Sequence, residues 1–239
     1  YKQTTLNRRI SRRMLIVEKN KSSVYLKFLR KNRDEQTALF YDILIPVTSF
    51  FRDEKIFQTI SQKIFPAILK NKANTDSIRI WVAGCSTGEE VYSIAILLHQ
   101  FLAKLSGQQI QIFASDISET AITKARMGIY DLREIKNVPD DILKNYFTKT
   151  GKGYQVNKQI RDTCVFTRHD FLKDPPFAKL DLISCRNVLI YMDTFLQKKA
   201  LSAFHYALKE NGFLVLGKSE TISPAAELFT PFAKDDKVY

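Results

Sequence analysis

The chain reads as an α/β protein, a doubly wound domain with a mostly parallel sheet, on three observations. From Ile78 onward, short apolar runs alternate with segments whose apolar residues recur every three or four positions, the pattern of strands feeding helices. The first run ends in a glycine-bearing loop and the second in an aspartate, which suits the ligand-carrying strand ends of an open parallel sheet. The composition is that of a well-cored protein: 239 residues, 45% hydrophobic, with only 8 Gly and 7 Pro. No uncharged apolar stretch approaches the roughly 18 residues a membrane span needs, so no direct membrane insertion is expected.

Taken in order, Leu6, Ile10, Met14 and Val17 step by three or four, as do Tyr25, Phe28 and Leu29, which predicts two short amphipathic helices broken near residues 20–23. A helix over 55–69 follows, and residues 70–77 form a polar linker. Strands are expected at 78–83 (IRIWVA), 110–115 (IQIFAS), 163–167 (TCVFT), 180–185 (LDLISC) and 212–217 (GFLVLG), with a terminal strand around 232–239. The intervening helices fall at 89–105, 119–127 and 194–209. Residues 132–162 break the alternation, and Gly151 and Gly153 beside Tyr154 and Val156 predict a small inserted hairpin. The expected organisation is a basic helical region at 1–45, a connecting segment and helix at 46–77, and the α/β domain at 78–239 with its insert.

Lys and Arg exceed Asp and Glu by 12, which first suggests nucleic acid, anionic lipid or an acidic protein as partner. Eleven basic residues against Glu18 alone leave +10 on residues 1–33, and the other 206 residues carry only +2. The charge therefore belongs to the N-terminal helices. Cys85, Cys164 and Cys185 are odd in number, far apart and without a C-x-x-C pair, so neither a disulfide framework nor a zinc site is expected, no metal is assigned, and a reducing cytoplasm fits. The opening residues lack the apolar run of a signal peptide, and a start at Tyr1 suggests that further sequence precedes it.

The first strand-loop-helix unit is VAGCSTGEE, residues 82–90. Gly84 and Gly88 let main chain approach a ligand, but their spacing is neither the dinucleotide nor the nucleotide-triphosphate fingerprint. Glu89 and Glu90 open the helix where a phosphate would otherwise be welcome, which suits an amino group instead. Asp116, after the second strand, is placed to accept hydrogen bonds from a ribose diol. Together these features describe a site for S-adenosylmethionine, whose ammonium, sulfonium and ribose all favour such neighbours. Helix-dipole complementation alone would account for the glutamate pair but not for the aspartate.

PVTSFFRD (46–53), AGCSTGEEVYSIA (83–95), FASDI (113–117), ITKARMGIY (122–130) and DLISCRNVLIYM (181–192) resemble, in family order, the chemotaxis-receptor glutamate methyltransferases, the CheR family. The resemblance implies a Rossmann-like class I methyltransferase fold. It implies methyl transfer from S-adenosylmethionine to glutamate side chains on a receptor's cytoplasmic helical bundle, giving methyl esters and S-adenosylhomocysteine. Under it, Pro46, Thr48, Arg52, Gly84, Glu89, Glu90, Asp116, Asp170, Phe171, Cys185, Arg186 and Asn187 are the expected cofactor-binding residues. Arg52 and Tyr191 stand nearest the reacting centre. The basic arm, with Arg9, Arg12 and Arg13, meets the substrate, and a methylesterase, fused or separate, is an expected counterpart. Pro46 and Asp170 replace a usual Asn and Val91 a usual Pro, departures that bear on cofactor affinity.

A glutamate carboxylate, with a pKa near 4.3, is already ionised at neutral pH and needs no general base to attack a sulfonium methyl. His99, His169 and His205 accordingly stand in no catalytic spacing. Two other readings remain. A nucleic-acid methyltransferase would suit the basic helices, but Asp174-Pro175-Pro176-Phe177, which resembles an amino-methylating motif, precedes the strand at 180–185 instead of following it and reads as a loop. A non-catalytic, cofactor-sensing receptor scaffold is the other.

Overall fold

The computed structural model describes residues 3–43, 48–70, 72, 76–103, 108–151 and 153–239. Pro46, part of the 70–77 linker, and Lys104 and Leu105, which the sequence assigns to the end of a helix, lie outside the described residues. The chain divides into two compact units, Tyr1–Pro46 with Tyr191–Asp193, and Val47–Ile190 with Thr194–Tyr239.

The smaller unit holds three helices, α1 (Gln3–Ile16), α2 (Ser22–Lys31) and α3 (Arg33–Ile43), where the sequence predicted two. The third escapes the periodicity argument because its buried side is marked by a charge: Glu35 is buried, while Phe40 is exposed. Glu35 accepts both arms of the Arg13 guanidinium and the Tyr25 hydroxyl, so one carboxylate ties α1, α2 and α3 together. Asn32 stops α2 and accepts from the Glu35 amide, starting α3 one residue later.

The larger unit begins with a helix that changes pitch. α4 (Glu54–Thr59) passes through one wide π turn (Ile60–Ile64) into α5 (Phe65–Lys70). Pro66 explains the wide turn. Its ring would collide with the carbonyl four residues back and it has no N–H to donate, and opening the helix to a five-residue bond, Phe65 N–H to Ile60 O, accommodates both.

The strands of the main sheet are β1 (Ile78–Ala83), β2 (Ile110–Asp116), β6 (Cys164–Arg168), β7 (Leu180–Cys185) and β8 (Leu208–Leu216). They are ordered β6-β2-β1-β7-β8 and every pairing is parallel. The chain starts in the middle, moves out to β6 and returns beyond β1, which puts the switch point of the sheet between β1 and β7. The predicted terminal strand is reduced to antiparallel bridging: Val238 faces Val215, and Tyr239 exchanges main-chain bonds with Leu214. The connecting helices are α6 (Glu89–Leu102), α7 (Glu119–Met127) and α10 (Thr194–Ala207). Ser118 caps α7 by accepting from the Ala121 amide, and left-handed Gly128 ends it.

Between α7 and β6 lies a second, antiparallel sheet in the order β3-β5-β4, made of β3 (Ile129–Tyr130), β4 (Phe147–Thr150) and β5 (Gly153–Val156), with short helices α8 (Asp140–Tyr146) and α9 (Lys158–Arg161). Residues 169–179 cross from β6 to β7 without a helix. In place of one, Phe177 of the Asp-Pro-Pro-Phe loop stacks on Phe113 and meets Trp81 edge-on. Trp81 is wholly buried and its indole N–H donates to Ser115 Oγ at 2.9 Å. Asp181, at the N-terminal end of β7, accepts from the Arg79 amide, Lys72 and Lys209. The three cysteines are free thiols, and among the described residues no helix is long and apolar enough to cross a membrane.

Candidate active site

The C-terminal ends of β1, β2 and β7 lie side by side, with Ala83 level with Ser115 and Val82 with Ser184. The loop leaving β1 turns over the end of β2: the amides of Gly84 and Cys85 both donate to Ser115 O, and the Ser86 amide donates to Asp116 Oδ2 at 2.9 Å. Two positions in this loop require glycine. Gly84 has φ +73° and a Cβ there would lie 2.5 Å from Val188 Cγ2; Gly88 has φ +95° and its Cβ would lie 2.9 Å from Ala125 Cβ. The other oxygen of Asp116 accepts from the Ser118 amide at 2.9 Å, so the loop and the start of α7 hold the carboxylate from both sides. Burial pushes its carboxyl above the usual carboxylate range against the pull of these amides.

Glu89 and Glu90 open α6 in different settings. Both oxygens of Glu89 are within reach of the Thr87 hydroxyl, and burial raises its pKa. Glu90 accepts from Ser184 Oγ at 2.6 Å and from Arg186 Nη1 at 2.9 Å. Arg186 is the hub of this end of the sheet. Its Nη2 donates to Arg52 O at 2.8 Å and to Asp53 Oδ2 at 2.9 Å, its guanidinium lies over the Phe57 ring, and its side chain is only 2% exposed. It thereby fastens the turn before α4, where Phe51 and Asp53 both take left-handed φ. The same turn is held on α6 by the Phe51 amide, which donates to Ser93 Oγ. Lys218 reaches Asp53 from the segment after β8.

Several residues expected at the cofactor have other work in the structure. Arg186 donates from Nη1 to Glu90 and from Nη2 to Arg52 O and Asp53, while its buried Nε has no protein partner. The Cys185 thiol is sealed in the interior and burial pushes its pKa well up. Phe171 packs its ring against Phe204, while Asp170 turns its own loop by accepting from the Leu172 amide and pairing with Lys173. Arg13 is engaged with buried Glu35, Arg12 is exposed at 3.9 Å from Asp42, and Arg9 is half-buried. Thr48 is half-buried just before the Phe51–Asp53 turn, and Asn187 follows β7 in a left-handed conformation. Arg52 groups with the sheet unit, and Tyr191, ending a short 3-10 turn (Leu189–Tyr191), with the N-terminal helices.

Sequence reasoning missed Glu220, whose buried carboxylate accepts four main-chain amides around the start of this turn. The available signal was an acid just beyond the glycine that follows a strand, GKSE, an acid near a strand end as at Asp116. It missed Ser93, Lys218 and Tyr130 as well; the Tyr130 hydroxyl donates to Thr87 O and steadies the loop from the small sheet.

The model of the SAM-binding domain of CheR methyltransferases matches residues 46–238, and that of their all-alpha domain matches residues 1–44. The chain belongs to the CheR methyltransferase family. It is 36% identical over its whole length to an uncharacterized 104.1 kDa protein of Rhodobacter capsulatus, of which it spans only a quarter (25%). It is 32% identical to a putative methyltransferase, Cher3, of Pseudomonas putida, over 96% of this chain and 87% of that protein. It is likewise 32% identical to chemotaxis protein methyltransferase 2 of Vibrio cholerae, over 95% and 81%.

The cofactor of this CheR domain is S-adenosylmethionine. The donor set fits it: two glycines that admit main chain, one carboxylate at the end of β2 and two at the start of α6, and a buried Ser86 hydroxyl with no protein partner in the same loop. The fit is one of charge as well. Burial raises the pKa of both Glu89 and Asp116, a penalty that a bound cation and hydroxyl donors would offset.

Proposed function

We propose that this chain is a cytoplasmic protein-glutamate O-methyltransferase acting on the helical cytoplasmic domain of chemoreceptors, with S-adenosylhomocysteine as the second product. The observation that carries the reading is the family match across both domains together with a site built of carboxylates and one anchored arginine turn. The cofactor supplies a methyl group on a sulfonium, a leaving group that departs as a neutral thioether. A receptor glutamate is ionised at neutral pH and can attack without a base, so positioning is the main task of the protein, and positioning can supply several kcal/mol.

Gly84, Glu89, Asp116 and Asn187 would hold the cofactor, with Glu90 kept in place by Ser184 and Arg186. Arg52, its main chain fixed by Arg186, would orient one oxygen of the incoming carboxylate. The excess of positive charge on residues 1–33, with Arg12 exposed, would steer a glutamate-rich helix by long-range attraction. Reversing such an ester takes a hydrolase, and a methylesterase is the expected counterpart.

The test is to incubate the protein with radiolabelled S-adenosylmethionine and either receptor cytoplasmic fragments or RNA. Base-labile label on receptor, abolished by Arg52→Ala in a protein that still binds S-adenosylhomocysteine, is the expected result. Label on RNA would turn the reading to a nucleic-acid methyltransferase. Cofactor binding without transfer to either would turn it to a sensing scaffold.

A further inference from the structure

The segment leaving β8 is built as a brace for the loop leaving β7. Four amides converge on the Glu220 carboxylate: those of Gly217 at 2.6 Å, Asn187 at 2.9 Å, Val188 at 2.8 Å and Leu189 at 2.7 Å. Glu220 is 4% exposed, and an ionised carboxylate in so dry a place is tolerated only when its oxygens are bonded. Burial raises its carboxyl pKa and the four amides oppose the rise. Gly217 makes the approach possible: a Cβ there would fall 2.8 Å from Glu220 Oε2 and 2.9 Å from the Asn187 nitrogen. What the brace holds is Asn187, at φ +61°, a left-handed conformation that Asn adopts more readily than other side chains and that bonds to the amides of 187, 188 and 189 fix in place. Lys218 of the same segment reaches Asp53.

We propose that Glu220 is a positioning residue for cofactor binding, which presents Asn187 to the cofactor by fixing the main chain of residues 187–189. The inference rests on Asn187 being a cofactor contact and adds the residue through which that contact is made. Glu220→Gln keeps the shape but turns an acceptor oxygen into an NH2 group facing N–H donors.

The experiment measures S-adenosylhomocysteine affinity by calorimetry for wild type, Glu220→Gln, Asn187→Ala and the double variant, at a temperature where circular dichroism shows each one folded. Glu220→Gln is expected to weaken binding by about tenfold, and the double variant to bind within about twofold of Asn187→Ala alone, because both changes remove one interaction. A lower melting temperature with affinity unchanged would make Glu220 a mere fold support and overturn the proposal, as would losses that add in the double variant. If Asn187→Ala itself binds like wild type, the contact assignment fails and takes the proposal with it, an outcome recognisable because that single variant is silent. Should Glu220→Gln not fold, Glu220→Asp, which keeps the charge but withdraws it by one methylene, is read in the same cycle by the same criteria.

Discussion

Replacing Arg186 by Met should destabilise the sheet unit by about 3 to 4 kcal/mol. The guanidinium, 2% exposed, makes one hydrogen bond to Glu90, one to Asp53 and one to the Arg52 carbonyl, all between 2.8 and 2.9 Å. Breaking a buried pair from one side costs roughly 3–5 kcal/mol, chiefly because the partner charge is stranded. The lower part of that range applies because Asp53 is about a quarter exposed and retains Lys218, and Glu90 retains the Ser184 hydroxyl. At roughly 2–4 °C per kcal/mol for a domain of this size, the melting temperature should fall by about 10 °C. Urea unfolding and calorimetry read both numbers. The sign of the double variant is the sharper check: adding Glu90→Gln to Arg186→Met removes the stranded charge and should recover stability, although it is a second substitution in the same cluster. A loss below about 1 kcal/mol, or no recovery in the double variant, would mean that Arg186 behaves as an exposed ion pair and refute the reasoning.

Gly84→Ala should destabilise through both its left-handed φ and its collision with Val188; adding Val188→Ala should restore only the steric part and leave roughly 1–2 kcal/mol of backbone strain, as measured by urea midpoints. Because the Arg13 guanidinium holds the Glu35 carboxyl below the usual glutamate range, its stabilisation is complete above a pH of about 4.3 and is lost as pH falls through the folded value. The protection of α1 to α3 amides, corrected for the intrinsic exchange rate at each pH, should therefore fall in acid, and a profile flat down to a pH of about 3, or one unchanged in Glu35→Gln, would contradict the role of the triad.

The fold was legible where burial writes a continuous pattern. The runs 78–83 and 180–185 coincide with β1 and β7, whose residues are almost all buried, and the alternating order of elements led to a parallel sheet. It was less legible where a charge replaces an apolar anchor, as Glu35 does in α3, or where pairing thins to a bridge, as at Val238. In the site, glycines and acids at strand ends could be read because their chemistry is local. Arg186 could not be placed, since its partners Arg52 and Glu90 lie 134 and 96 positions away, and no local pattern distinguishes an arginine that holds other residues from one that holds a ligand. Glu220 acts on main-chain amides 31 to 33 positions upstream, which leave no trace in side-chain identity.

Trp81 gives this arrangement a practical consequence. It is the only tryptophan in the chain, and its hydrogen bond to Ser115 joins it to the residue just before Asp116. Its fluorescence therefore comes from a single known position within β1, level with Phe113 of β2, with Phe177 against its ring. Any event that shifts the β2 end or lifts the 169–179 crossing changes the surroundings of that one emitter, so the protein carries its own optical probe without a label being added.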